Sequence, residues 1–133
     1  MNLPITLTGY VKTGNHIGTR FGMPTANITP AEDLAGLEFG VYFSVVKCGG
    51  TYPAITNLGT KPTVESSGEA GAETFIYGYE GDLYGKKIAV TLLEFRRSER
   101  KFPSLDELYE TVRDDFRAGA LYHGLDPEKY GAV

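Results

Sequence analysis

The sequence predicts a mainly antiparallel β domain, and three observations lead there. Seventeen glycines, nine tyrosines and seven phenylalanines are spread through 133 residues, a composition rich in turn formers and in side chains suited to a pleated, half-buried surface. Short β-branched runs sit between turn signals, as in small barrels. With 41% apolar residues, residues 1–133 suit one compact domain able to bury roughly two thirds of its unfolded surface.

The elements follow in order. "ITLTGYV" (5–11) alternates Ile5, Leu7, Gly9 and Val11, the period of a strand with one buried face. A short strand is expected near 25–28. "GVYFSVVKC" (40–48) and "TYPAITNL" (51–58) flank Gly49-Gly50, a two-residue hairpin turn. Pro53 places the second of these strands at an edge or bulge, because proline cannot donate to a ladder. "AETFIYGY" (72–79) and "KKIAVTLLEF" (86–95) enclose "EGDLYG", where Gly81-Asp82 supplies a turn. Residues 29–39 lack a clean period, and "ESSGEAG" (65–71) is polar and glycine-rich; both read as mobile loops on a rigid barrel. One helix begins at "SLDELYETVRDDFRAGALYHG", with Ser104 and Glu107 as an S-x-x-E capping box and Leu105, Leu108, Val112 and Phe116 as its apolar stripe. It is expected to cover one barrel end, with Gly124 as its stop and Pro127 beyond.

Charge and cysteine content narrow the functions. Thirteen basic against seventeen acidic residues give a net charge of −4, a field that repels nucleic acid and anionic membrane, so any phosphate chemistry is local. Cys48 is the only cysteine; it excludes an internal disulfide and fits a reducing, cytoplasmic setting. With two scattered histidines it argues against zinc. No window approaches the ~18 apolar residues of a membrane span, and Met1 opens no signal peptide. Asn27-Ile28-Thr29 matches a glycosylation sequon by chance.

Two segments carry candidate chemistry. Glycines 9, 14, 18 and 22 either let backbone N–H groups approach a polyphosphate or bend strands at barrel corners. "GDLYGKK" has the wrong spacing for a phosphate-binding P-loop. In "MPTAN", Pro24 stiffens the backbone, and Thr25 and Asn27, two residues apart, face one side if the segment is extended. Their oxygens then either finish a Mg–ATP site or satisfy turn backbone groups.

In order and spacing, "GYVKTGNHIGTRFGMPTANI", "GVYFSVV", "NLGTKPTV", "AETFIYGYEGDLYG", "LLEFRRSERKF" and "SLDELYETVRDD" resemble the riboflavin kinase domain. The resemblance runs from about residue 7 to 120, and its most specific pieces are "PTAN" and the Glu-Thr of "AETF" shortly before "DLYG". It implies a six-stranded antiparallel Greek-key barrel that uses Mg²⁺ and ATP to phosphorylate the 5′-hydroxyl of riboflavin, giving FMN. In bacteria such a domain commonly forms half of a chain that also holds an FMN adenylyltransferase. Nothing of that half is present, so the likeness is to a stand-alone kinase or an excised domain, with a separate adenylyltransferase as the implied partner and a monomer as the default state.

Residue by residue, the resemblance implies that Thr25 and Asn27 hold Mg²⁺ and the ATP phosphates. Gly14, Gly18 and Gly22 would let the loop lie over those phosphates, and Glu73 would take the proton from the attacking hydroxyl. Taken without the family, Glu73 reads as a solvated edge-strand residue. Phosphoryl transfer itself needs only in-line positioning, charge neutralisation and a group that orients the hydroxyl. Arg97 and Phe102, in "FRRSERKF", match positions bordering the flavin ring pocket; the residues alone also fit a solvated basic turn, and Arg97 can stack on a flavin or anchor a flap.

The chain departs from the family pattern in two places. After Gly18 the common bacterial order is an arginine and then leucine-glycine, whereas here it is Thr19-Arg20-Phe21-Gly22; Arg20 is expected to reach the phosphates from the neighbouring position. The residue after "ET" is often histidine and here is Phe75. Tyr84 is read as a barrel aromatic, His16 as no ligand, His123 as a cation at a helix end and Cys48 as packing. Two rival classes are a non-catalytic flavin- or nucleotide-binding barrel and, from the aromatics alone, a single-strand nucleic-acid barrel, which the net charge opposes.

Overall fold

A computed structural model of the chain describes residues 3–12, 22–60 and 70–130. Its strands are β1 (Ile5–Tyr10), β2 (Thr25–Ile28), β3 (Gly40–Lys47), β4 (Thr51–Thr60), β5 (Ala70–Ile76) and β6 (Lys87–Ser98), followed by helix α1 (Leu105–Tyr122) and a 3-10 turn, Pro127–Lys129. They form one antiparallel sheet in the order β1-β6-β3-β4-β5-β2. Strands β3, β4 and β5 follow one another, and β6 returns to lie beside β3, which is a Greek key. The sheet curls into a half-barrel whose outer strands meet where the Lys12 N–H donates to the Asn27 carbonyl at 2.8 Å.

The two-residue period of each strand divides the apolar residues between two cores. Leu7, Ala26, Ile28, Tyr42, Val46, Ala54, Leu58, Ala72, Ile76, Val90 and Leu92 point inward. Val41, Phe43, Ile55, Phe75 and Tyr77 point outward, where Val112, Phe116 and Ala120 of α1 cover them. The expectation placed α1 at one end of the barrel; its contacts put it against the outer wall, because that wall carries the apolar residues of β3, β4 and β5. The inner core is packed instead by Leu34, Leu37 and Phe39. The segment 29–39 therefore does not hang free: Ala31 N–H donates to the Thr8 carbonyl at 2.9 Å, and Glu32 accepts from the Thr8 N–H at 2.7 Å and the Thr8 hydroxyl at 2.5 Å. These bonds cover the open edge of β1. Of the second expected loop, residues 65–69 lie outside the described residues.

Other details depart from expectation for local reasons. Pro53 sits in an interior strand, yet the β4–β5 ladder begins one residue later at Ala54 and Ile76. The Pro53 carbonyl accepts from the Tyr77 N–H at 3.0 Å, so its missing donor faces away from β3 and costs that ladder nothing. Leu105 is 64% exposed, and the buried stripe of α1 runs from Val112 to Ala120. Tyr84 is 63% exposed and is no part of the barrel interior. At the helix start the Ser104 hydroxyl accepts the Glu107 N–H at 3.2 Å. At its end Gly124 adopts φ 74°, its N–H bonds to the Leu121 carbonyl, and the Leu125 N–H bonds to that of Ala120, a Schellman stop. His123 spends a ring nitrogen on the Ala54 carbonyl at 2.9 Å rather than on the helix dipole alone. Cys48 is half-buried against the inner core, and burial pushes its thiol up.

One contact seats the helix. The Tyr77 hydroxyl donates to the Phe116 carbonyl at 2.7 Å in a buried setting, and burial first, then Asp115, raises its pKa. Gly119 makes room: a Cβ there would lie 2.2 Å from the Tyr77 oxygen. Gly119→Ala is expected to cost about 1–3 kcal/mol in urea unfolding by overpacking. Adding Tyr77→Phe should cost less in that background than in the wild type, because the colliding oxygen is then gone.

Glu32 supplies a pH-dependent contribution. Burial pushes its carboxyl up, but the two Thr8 bonds, together with its own backbone N–H and the charge of Lys87, outweigh that and leave it below its ordinary value. A carboxyl lowered in the folded state stabilises above its unfolded pKa, and that contribution is lost as pH falls through the folded value. Thermal midpoints followed from neutral to acid pH should fall more steeply below the ordinary carboxylate range in the wild type than in Glu32→Gln. Parallel curves would remove Glu32 from the acid transition.

Candidate active site

The site is built from the outward positions of β2, β5 and β6. Pro24 leads into β2, and its carbonyl accepts the Ile76 N–H at 3.0 Å, which ties the entry of the short strand to β5. Register then pairs Thr25 with Phe75 and Asn27 with Glu73. Since Phe75 points outward, so do Thr25, Asn27 and Glu73. Asn27 is buried to 7% exposure, fixed by the β5 ladder on one side and by Lys12 on the other. The Thr25 hydroxyl reaches the Met23 carbonyl at only 3.4 Å, a weak bond that leaves its lone pairs outward. Glu73 is half-buried, and its Oε2 is out of contact with solvent.

Register carries this row across the wall, polar but for the buried Val41. Asn27 lies opposite Glu73, Glu73 opposite Asn57, Asn57 opposite Val41, and Val41 opposite Arg97. At ~4.8 Å per strand, Glu73 and Arg97 stand ~14 Å apart along the sheet. Gly22 precedes the row with φ 73°, a conformation that favours glycine, and no atom within 4 Å would meet a Cβ there, so the requirement is one of backbone rather than space. Gly14, Gly18, Arg20 and His16 lie outside the described residues.

The far end of the row differs from a solvated basic turn. Strand β6 continues to Ser98, and its pairing slips between Val41–Arg97 and Tyr42–Phe95, leaving Arg96 as the extra residue of a β-bulge. Phe95 faces inward, edge-on to Tyr42 at 5.2 Å. The bulge therefore turns both following arginines outward, where strict alternation would send Arg97 into the barrel. Gly40 allows this close approach, since a Cβ there would lie 2.1 Å from the Arg97 carbonyl.

Both arginines meet one carboxylate. Asp115 of α1, 5% exposed, accepts from Arg97 Nε at 3.0 Å and Nη2 at 2.7 Å, and from Arg96 Nε at 2.9 Å. A carboxylate this deep is held by such charged, bidentate bonding. Sequence reasoning missed Asp115; the only signal was an acidic residue one place from the apolar position Phe116. A cleft of about 350 Å³ opens beside it, lined by the three arginines 96, 97 and 100 and by Glu107, Glu110 and Asp114. Arg100 lies 4.8 Å from the centre of the Phe102 ring, so Phe102 is at the cleft's approach. Phe75 is 6% exposed and edge-on to Phe116 at 4.9 Å, which makes the departure from histidine a packing contact with the helix.

The arrangement thus offers two hard oxygen donors and a carboxylate at one end, and a cleft in which arginines stand among carboxylates at the other. Among the described residues no group of three or more His, Cys, Asp or Glu could hold a metal, and no helix is long and apolar enough to cross a membrane.

Known proteins resemble this chain in sequence and in fold. A family model described as riboflavin kinase matches residues 1–122. The RNA-binding riboflavin kinase RibR of Bacillus subtilis is 34% identical over 110 residues, covering 82% of this chain and 47% of its own length. The bifunctional riboflavin kinase/FMN adenylyltransferase of Escherichia coli is 33% identical over 124 residues, covering 92% of this chain and 39% of its own. The chain spans less than half the length of these two curated relatives. A riboflavin kinase from Trypanosoma brucei superposes with a TM-score of 0.60 at 23% identity, over 88% of this chain and 75% of that one, a likeness of fold.

Proposed function

Since the chain belongs to the riboflavin kinase family, we propose that it transfers the γ-phosphoryl group of ATP to the ribityl 5′-hydroxyl of riboflavin, releasing FMN and ADP. The observation that carries this reading is the register row: it puts a carboxylate, Glu73, beside Asn27 and, ~14 Å along the same face, the arginines of a cleft. An elongated substrate with its reactive hydroxyl at one end and a planar heterocycle at the other suits that span. A compact acceptor would leave one end unused.

In this reading Thr25 and Asn27 hold Mg²⁺ and the ATP phosphates, with Gly14, Gly18, Arg20 and Gly22 lying over the phosphates. The donor set suits the ion: a hydroxyl and a carboxamide are hard, neutral ligands, and Mg²⁺ takes the rest of its shell from phosphates and water. When bound, the metal neutralises phosphate charge. Glu73 accepts the hydroxyl proton as the oxygen attacks the γ-phosphorus and the bond to ADP breaks. Pro24, the β5 ladder and Lys12 hold Asn27 in place before substrate arrives, which saves ordering at the moment of reaction. Arg97 and Phe102 border the flavin end. In this reading the reaction runs in the cytosol, in a monomer, and an FMN adenylyltransferase would consume the product.

Incubation of the protein with riboflavin, ATP and MgCl₂, with the flavins resolved by chromatography, tests the reading. FMN is expected only with metal; riboflavin unchanged in the presence of metal and ATP would sink it. Glu73→Gln is expected to lower kcat about 10²–10⁴-fold while riboflavin still quenches on binding. An unchanged rate would remove Glu73 as the base.

A further inference from the structure

We propose that the two arginines of the β6 bulge divide their work, Arg97 anchoring the helix and Arg96 presenting the cation that a ligand in the cleft meets. This rests on the functional reading above and changes which arginine serves the flavin end, since motif position alone favours Arg97.

Donor use separates the two. Arg97 spends Nε and Nη2 on Asp115, and its Nη1 donates to the Ser98 carbonyl at 3.2 Å. Every nitrogen of its guanidinium is engaged, in the side-on geometry that matches a carboxylate. Arg96 spends only Nε, on the Asp115 oxygen that also takes Arg97 Nε. Among the described residues its two Nη groups carry no hydrogen bond, although Arg96 lines the cleft and its side chain is 28% exposed. A guanidinium pinned at Nε with both Nη groups open is a preorganised donor, because the bond that orients it leaves the ligand-facing edge unused. Arg100 competes less well: it lies over the Phe102 ring, and its Nη2 reaches the Thr111 hydroxyl at 3.3 Å.

The ligand chemistry follows from the donor. Four N–H groups in a plane suit adjacent carbonyl and ring-nitrogen acceptors of a flat heterocycle, which the O2/N1 and O4/N5 pairs of an oxidised flavin supply. The cleft also carries Glu107, Glu110 and Asp114, so three arginines face four carboxylates once Asp115 is included. A neutral ring carrying acceptors fits that balance better than an anion does.

Arg96→Met and Arg97→Met should therefore fail in different ways. For Arg96→Met the expected result is a riboflavin KM raised about 10-fold or more, the loss of a charged hydrogen bond, with the KM for ATP within about 2-fold of wild type and Tm within about 3 °C. For Arg97→Met the expected result is a Tm lowered by about 5 °C or more, since a buried carboxylate loses its bidentate partner. A riboflavin KM left unmoved by Arg96→Met overturns the assignment, as does a Tm loss in Arg96→Met equal to that of Arg97→Met. If Arg97→Met does not fold, the Arg96→Met result decides alone. A wild-type protein that neither phosphorylates riboflavin nor quenches its fluorescence overturns the functional reading and this assignment together; a working wild type with an unaffected Arg96→Met overturns this assignment only.

Discussion

The outer face depends on one constraint, the register of β5. Ala72, Thr74 and Ile76 point inward while Glu73, Phe75 and Tyr77 point outward, so a single strand carries the carboxylate of the site and the two aromatics that seat the helix. A slip of one residue would send all of them to the wrong side. What pins the register is a ladder of hydroxyls inside the barrel. Ser44 bonds Thr56 at 2.8 Å and Thr56 bonds Thr74 at 2.9 Å, and each of the three is fully buried. A shift would leave buried hydroxyls unsatisfied at about 1–3 kcal/mol each. An apolar trio would pack in either register; the hydroxyls accept one.

Fold and site are then coupled through α1. Phe116 meets Phe75 and takes the Tyr77 hydrogen bond on its carbonyl, and its chain neighbour Asp115 takes both arginines. Adjacent helix positions therefore dock on β5 and on β6, at opposite ends of the polar row. The helix works as a strut that braces β5 and β6 against one another across the wall. This is also why a wall position suits it better than a barrel end: only on the wall can one helix touch both strands.

Much of this was legible in the sequence and some was not, for physical reasons. The strands announced themselves by alternation, the helix start by Ser104 and its stop by Gly124, because those signals are local. Thr25 and Asn27 of "PTAN" could be singled out by their spacing, with two readings left open, and Glu73 only through family resemblance; that they share a face follows from register, a property of pairing that no single segment carries. The bulge at Arg96 was invisible, since alternation assumes that no residue is extra, and the residues of "FRRSERKF" taken alone also fit a basic turn. Asp115 was hidden for a related reason: a helical acidic residue reads as solvated until the partner strand brings its cations. Pro53 misled because proline was judged by strand type, whereas what matters is which neighbour its missing donor faces. Segment 29–39 lacks a period, yet Leu34, Leu37 and Phe39 pack the inner core one by one.

The net charge of −4 makes phosphate chemistry a local matter, and the structure suggests how locality is achieved. In the proposed reading Asn27 and Thr25 contribute no charge, so the donor pair itself adds no repulsion against a polyphosphate, while Glu73, the carboxylate proposed to face the acceptor hydroxyl, lies one strand away. At the opposite end the three arginines are balanced by Asp115, Glu107, Glu110 and Asp114, so the cleft holds cationic donors without a net positive charge that would draw anions in. In that reading, separating neutral donors, one carboxylate and compensated cations along a single row gives each end of an elongated substrate a different electrostatic environment. On a rigid sheet that assignment is made by strand order, before any ligand binds.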